Sequence, residues 1–311
     1  MVTAEIDIAK ASLVAAIDGQ DARFETSNDA PGWRALSRWL GAMGAERAGM
    51  EATGGYERGV AAHLVGAGFV VRVVDPAGAR HFARSMGARA KNDAVDAGWI
   101  ARYTASLPVE AGSRMDPRVT ALSEHLRFVE QLEEDRARWK TRAESCATRR
   151  FQAQAETRAR RLAREIKAQI ALLEATIRRE ADLAERLDLL LSIRGVGLRS
   201  AIAMIVHLPE LGSVSREQAA ALTGVAPWDH DSGTMRGQRH IAGGRPRLRR
   251  ALYNAVGLAR VWNPDLKAHY QRLIDKGKHH CCAMIACVRK LIIIANAVIN
   301  RGTPWQHRNA E

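Results

Sequence analysis

Apolar and polar positions alternate at the start of the chain, and the period then changes. "AEIDIAKASLVAAID" holds two short runs of strand character, Ile6–Ile8 and Leu13–Ile17, around a Lys-Ala-Ser turn. "RFETSN" predicts a third strand. Over "DAPGWRALSRWLGAMG" the spacing becomes helical, with Asn28 or Asp29 as cap, Pro31 in the first turn and Gly44 at the end. "ERAGMEA" predicts a fourth strand, closed by "TGGYE". A helix over "YERGVAAHLVGAG" and an apolar strand "FVVRVVD", stopped by Pro76, follow. Two more helices come next, the second carrying Asp93 and Asp96. A strand hairpin feeding alternating strands and helices predicts a mixed sheet covered by helices.

From Asp116 to about Leu191 there is no glycine, and the only proline is Pro117. Leu122, Leu126, Val129 and Leu132, then Leu162, Ile166, Ile170, Leu173 and Ile177, recur at helical spacing. This predicts a long helical hairpin or coiled coil with a charged outer face. It would serve dimerisation or span between domains, or else pack as a bundle on its own chain. The last third opens with "SIRGVGLRSAIAMIVHL", where Gly195-Val196-Gly197 resembles the turn of helix-hairpin-helix modules and would offer backbone N–H groups to a phosphate. Gly-x-Gly also makes ordinary turns. A glycine- and arginine-rich loop, "APWDHDSGTMRGQRHIAGGRPRLRR", precedes three closing helices. The expected domains are 1–113, 114–191 and 192–311.

Net charge is +13 over 311 residues, and its distribution matters more than its total. Residues 1–113 hold 12 Lys and Arg against 13 Asp and Glu; residues 114–193 hold 17 against 14; residues 194–311 hold 18 against 7. That asymmetry points to a polyanionic partner for the last third, against the alternative of a solvated basic surface. The four cysteines include no C-x-x-C pair and suggest no disulfide framework. "HHCC", residues 279–282, reads as helix surface with two buried cysteines rather than a zinc site. The longest apolar run is broken by Arg289 and Lys290, and the N-terminus has no apolar signal core. A soluble cytoplasmic protein with no membrane partner is expected.

Four acids stand apart. Asp7 interrupts the apolar pattern of the first strand, and Glu51 ends the fourth, ahead of Gly54 and Gly55. Asp93 and Asp96, three apart, share a helix face, where like charges repel. A carboxylate among apolar neighbours costs several kcal/mol unless it is paired or metal-bound. If the four converge, hard oxygen ligands select Mg²⁺ or Mn²⁺, and two such ions can clamp a phosphodiester in displacement. The structural alternatives are Asp93 as a helix cap, Asp96 paired with Arg89 or Lys91, and Glu51 paired with Arg58.

The ordered set "EIDIAK", "MEATGGYE", "VVDP" and "KNDAVDAGWIA" resembles the DEDD transposases of bacterial insertion sequences. This is the insertion-sequence one-hundred-and-ten family, which includes Piv-like DNA invertases. "IRGVG", "LTGVAPWDHDSGTMRG", "GRPRLRRALYNA" and "VRKLIIIANAVI" are similar to that family's C-terminal domain, so the resemblance covers nearly the whole chain. Glu5 departs from the glycine usual before the first aspartate motif, and "HIAGGRPRLRR" departs from the usual basic stretch.

The resemblance implies an α/β ribonuclease-H/RuvC-like catalytic domain, a fold the strand order also matches, although the pattern alone leaves other α/β folds open. It further implies a coiled-coil linker and a mainly α C-terminal transposase domain with a nucleophilic serine. Carried over by position, Asp7, Glu51, Asp93 and Asp96 form the metal-binding tetrad, and Ser232 is the serine. Arg236, Arg239, Arg245, Arg247, Arg249 and Arg250 would hold phosphates of RNA or DNA. The implied cofactors are Mg²⁺ or Mn²⁺ and a structured guide RNA (the bridge RNA), one loop of which pairs with target DNA and another with donor DNA. The implied assembly is a dimer or tetramer. The expected function is an RNA-guided recombinase that moves its own insertion sequence through a serine–DNA intermediate. The rivals are a metal-dependent Holliday-junction resolvase using water, and a non-catalytic nucleic-acid scaffold.

Overall fold

The computed structural model describes residues 2–74, 76–86, 93–106, 116–229, 235, 237 and 239–307, with only the backbone described at Ala77 and residues 93–98. The chain divides into two compact units, Met1–Met115 and Asp116–Glu311.

In the first unit, β1 (Val2–Ile8), β2 (Ser12–Ile17) and β3 (Arg23–Ser27) form an antiparallel meander. Then come α1 (Ala30–Ala42), β4 (Ala45–Glu51), α2 (Glu57–Gly66), β5 (Val70–Val74), α3 (Pro76–Ser85) and α4 (Asp93–Ser106). The sheet order is β3-β2-β1-β4-β5, with β4 parallel to β1 and β5 parallel to β4. This is the mixed sheet the alternation predicts. Because β1 is central and covered on both faces, Thr3 to Ile6 are all buried. On one face Ala4, Ile6, Ala48 and Met50 pack with Leu36, Leu40, Val60 and Leu64 of α1 and α2. On the other lies α4: a β carbon at Gly49 would run into the Thr104 side chain, so the helix rests directly on the strand.

The cap ambiguity resolves by division of labour. Asp29 caps α1, its carboxylate accepting from Gly32 N at 2.9 Å. Asn28 instead donates to the carbonyls of Ala9 (3.0 Å) and Tyr56 (3.2 Å) and accepts from Trp33 Nε1 (2.8 Å). One side chain thus ties together the turn after β1, the start of α1 and the turn before α2.

The second unit is mainly helical. It contains α5 (Pro117–Ser145), α6 (Arg149–Arg178), α7 (Ala181–Leu191), α8 (Leu198–His207) and α9 (Arg216–Thr223). After a two-residue ribbon of β6 (Pro227–Trp228) and β7 (His240–Ile241) come α10 (Pro246–Trp262), α11 (Pro264–Asp275) and α12 (His280–Arg301). From Ser200 to Val206 every residue of α8 is buried, which makes it the central helix. The foot of the α5–α6 hairpin joins the same core through Leu122, Leu126, Val129, Leu132, Leu173 and Ile177. At its foot, therefore, the hairpin packs on its own chain.

Among the described residues α12 is the one helix long and apolar enough to cross a membrane. Leu291, Ile292 and Ala295 on it are wholly buried in the core. The cysteines at its start correct the sequence reading. Cys281 and Cys282 are exposed, because they lie in the first turn, before the helix enters the core at Ala283. Cys287, one turn further in, is buried, and burial pushes its thiol up to about 11. His279 caps the helix through Cys281 N, and His280 Nδ1 lies 2.8 Å from the Tyr270 hydroxyl.

Candidate active site

Ile6 of β1 pairs with Met50 of β4 in parallel register. One residue further along each strand, Asp7 and Glu51 therefore stand side by side, on the face that carries Glu5 and Gly49. Asp7 is exposed and Glu51 half-buried. Neither meets a cationic side chain within ion-pair distance among the described residues. Arg58, one candidate partner of Glu51, turns instead toward Glu57, with Nε 3.9 Å from Oε1.

Glu57 has its own task. Its Oε2 accepts from Gly55 N (2.8 Å), Thr53 N (3.1 Å) and Thr53 Oγ1 (3.2 Å), which closes the turn that follows Glu51. Gly54 and Gly55 adopt φ of +78° and +125° there, a region glycine enters without strain. Burial raises the Glu57 carboxyl, but the turn's N–H groups outweigh it and hold the group below its ordinary range. The sequence reading missed this residue. Its signal was an acid two residues after the Gly54-Gly55 turn, at the first position of a helix.

Helix α4 lies over the same face. Its Ile100 packs with Val74, which pairs with Glu51, and its Thr104 sits on Gly49, two residues back along β4. The helix thus runs from the C-terminal ends of the strands toward their middle. Asp93 and Asp96 occupy its first turn, and their side chains lie outside the described residues, as do Arg89 and Lys91. Among the described residues no group of three or more His, Cys, Asp or Glu could hold a metal ion. Asp7 and Glu51 supply only carboxylate oxygens, a donor set that suits Mg²⁺ or Mn²⁺. Glu5, where the family pattern has glycine, is buried at 3% exposure beneath α4, next to Gly49 in the ladder.

In the second unit the arginine-rich loop is clamped at its base. A β carbon on Gly244 would collide with the backbone of Gly224, and one on Gly224 with Gly243 O and the Arg249 guanidinium. Arg249 donates to the carbonyls of Gly224 (3.1 Å) and Gly243 (2.8 Å), and Arg245 N donates to Leu222 O (2.8 Å). Above this base Pro227 pairs with Ile241 and Trp228 with His240. Ser232 and Arg236 belong to the loop beyond, outside the described residues.

The remaining arginines meet acids of their own unit. Arg239 pairs with Asp229 across the loop. Arg245 forms two bonds to the Glu210 carboxylate (2.6 and 2.7 Å) and one to His207 O (2.8 Å). Arg247 donates to Glu130 (2.9 Å), and Arg250 lies 3.6 Å from Glu134. Glu130 also faces Arg199 (3.6 Å) and His207 (3.5 Å). Burial raises its carboxyl, but His207, Arg247 and Arg199 together draw it below its ordinary range. Gly195 packs edge-on against Ala259 of α10 at φ +91°, which gives the Gly-Val-Gly turn a packing role.

Both halves of the chain match transposase family models. Residues 4–152 match the family model "Transposase" for the DEDD type of IS110 elements. Residues 187–271 match "Transposase IS116/IS110/IS902 family". The chain belongs to the IS110 family of transposases, enzymes of DNA recombination. Over 318 aligned positions it is 28% identical to the pilin gene-inverting protein of Moraxella bovis, with 97% of each chain covered. The pilin gene-inverting protein of Moraxella lacunata is similar to the same extent.

Proposed function

We propose that the protein is an RNA-guided recombinase that excises and inserts its own insertion sequence through a serine–DNA covalent intermediate. The observation that carries the reading is the pair Asp7 and Glu51, adjacent at the ends of parallel strands with no cationic partner among the described residues. The placement of α4, with Asp93 and Asp96 in its first turn, supports the full tetrad. The order β3-β2-β1-β4-β5 supports the ribonuclease-H-like assignment.

In this reading the four carboxylates hold Mg²⁺ or Mn²⁺, which when bound neutralises the phosphate and stabilises the leaving oxygen. Ser232 supplies the nucleophile. Its Oγ–phosphorus bond forms as the phosphorus–oxygen bond to the departing deoxyribose breaks. The serine proton is lost and the departing oxygen gains one, so one ester replaces another and the bond energy is kept for rejoining. Arg245 and Arg249 hold the base of the serine loop. Arg236, Arg239, Arg247 and Arg250, with the rest of the basic last third, bind phosphates of guide RNA and of donor and target DNA. The protein works in the cytoplasm as a dimer or tetramer.

The test is denaturing electrophoresis of wild type and Ser232→Ala with labelled DNA, guide RNA and Mg²⁺. Wild type should form a covalent adduct and Ser232→Ala none, with folding unchanged within about 0.5 kcal/mol. Cutting by wild type without any adduct would favour a water nucleophile. A second reading, DNA inversion, is favoured by the two pilin gene-inverting relatives matched over 97% of the chain, and in it the protein would act without RNA. Full-rate recombination by protein stripped of RNA would select it.

A further inference from the structure

Residues 114–193 are close to neutral, but the structure sorts their charges to opposite ends of the hairpin. Between 136 and 164, the end of α5, the turn and the start of α6, stand ten Lys and Arg and only two acids, Glu144 and Glu156. Acids resume at Glu133, Glu134 and Asp135 on one helix and Glu165 on the other. The antiparallel pairing of α5 and α6 brings both basic stretches to one tip.

At the foot of the hairpin, charges are paired. Arg118 meets Asp116, Glu180 and Asp182 at 2.7–2.9 Å, and Arg178 meets Glu174 and Asp188 at 2.9 Å. At the tip only Arg138 with Asp135 (3.2 Å) and Arg160 with Glu156 (3.6 Å) are paired among the described residues. Arg149, Arg150, Arg161 and Arg164 are exposed and have no acidic partner there. Arg149 and Arg150 also occupy the first turn of α6, where the helix dipole disfavours cations and no acid offsets them.

Apolar packing gives the tip little reason to persist. Its buried seam is Ala143, Ala155 and Ala159, where the foot has leucine and isoleucine. Two cations are held in place: the guanidinium groups of Arg142 and Arg158 stack on Trp139 at 4.6 and 4.4 Å from the ring centre. The surface is about 24 Å long on α6 at 1.5 Å per residue. Double-stranded DNA presents a charge about every 1.7 Å of axis, so several phosphates can lie along it.

We propose that the tip of the α5–α6 hairpin is a sequence-independent grip on the phosphate backbone of double-stranded DNA. The proposal deepens the recombinase reading and rests on it for the presence of DNA, but not on the tetrad, on Ser232 or on RNA guidance.

The test compares full-length wild type with the variant Arg149→Gln, Arg150→Gln, Arg161→Gln, Arg164→Gln. Binding to a short mixed-sequence DNA duplex and to the matching RNA duplex is measured over a series of salt concentrations. Glutamine keeps helix propensity and removes charge, so the melting temperature should hold or rise. DNA affinity should fall at least about tenfold at physiological salt, and the slope of log K against log salt should shrink by roughly 3. An unchanged slope in a folded variant overturns the grip alone. A loss confined to duplex RNA also overturns it and gives the surface to RNA. A wild type that binds no DNA duplex sinks this inference and the recombinase reading together.

Discussion

The end of the sheet and the foot of the hairpin both carry clusters of charge, and they treat it in opposite ways. At the foot, Arg118 is surrounded by three carboxylates, and Glu130 by Arg199, His207 and Arg247. Each partner there relieves the other, and the charges help to fix helix against helix. At the sheet end, Asp7 and Glu51 lie side by side and the arginine within reach turns away to Glu57. Among the described residues, then, the foot of the hairpin pairs its charges, while the sheet end sets two like charges side by side. On the proposed function the carboxylate pair would suit a hard cation, and the unpaired arginines of the hairpin tip would suit phosphate.

The largest expected effect comes from breaking the unrelieved side of that contrast. Asp7→Asn or Asp96→Asn should abolish recombination, as read by gel assay, while circular dichroism stays native. In metal-free buffer Asp7→Asn should melt no lower than wild type, because it removes a repulsion. Wild-type recombination by either folded variant would end the metal-site reading.

Next in size are the glycines under the serine loop. Gly244→Ala should cost about 2–4 kcal/mol in chemical denaturation, since its φ of +66° is joined by a collision with Gly224. Gly243→Ala, with a similar φ of +65° but open space around it, should cost only about 1 kcal/mol. Equal costs would mean that the close approach of the two loops carries no weight.

Glu130→Gln should destabilise by about 1–3 kcal/mol, because Arg247 loses its acid partner and Arg199 one of its two. Glu51→Gln, with no such partners, should change stability by less than about 0.5 kcal/mol. If the two losses are alike, the contrast between paired and unpaired acids does not hold.

The smallest effect is in pH. Glu210 is held below its ordinary range, first by the hydrogen bonds from Arg245. A depressed carboxyl stabilises the folded state above the unfolded value, near pH 4.5, and that stability is lost as pH falls through the folded value. Wild type should therefore lose stability faster than Glu210→Gln below about pH 4.5. Parallel acid-unfolding curves would show that the Glu210–Arg245 pair contributes nothing.

Much of the fold was readable without coordinates, because helices and strands announce themselves through neighbours two to four residues away. The period-2 runs gave way to β1, β2 and β4 within a few residues, and the glycine-free stretch became α5 and α6. The motif set around Asp7, Glu51 and Asp93 was enough to point to the transposase family. What local pattern could not reach was pairing across distance. That Asp7 meets Glu51 rather than another strand end depends on the crossover that sets β4 beside β1. That Arg247 meets Glu130, 117 residues earlier in the chain, depends on α8 packing against both α10 and α5. Cys281 and Cys282 were misplaced for the same reason, since only the packing of α12 decides where its surface ends. Periodicity is a property of the segment, but the partner of a charge is a property of the packed whole, because desolvation makes each buried or half-buried ion seek whatever the fold brings near.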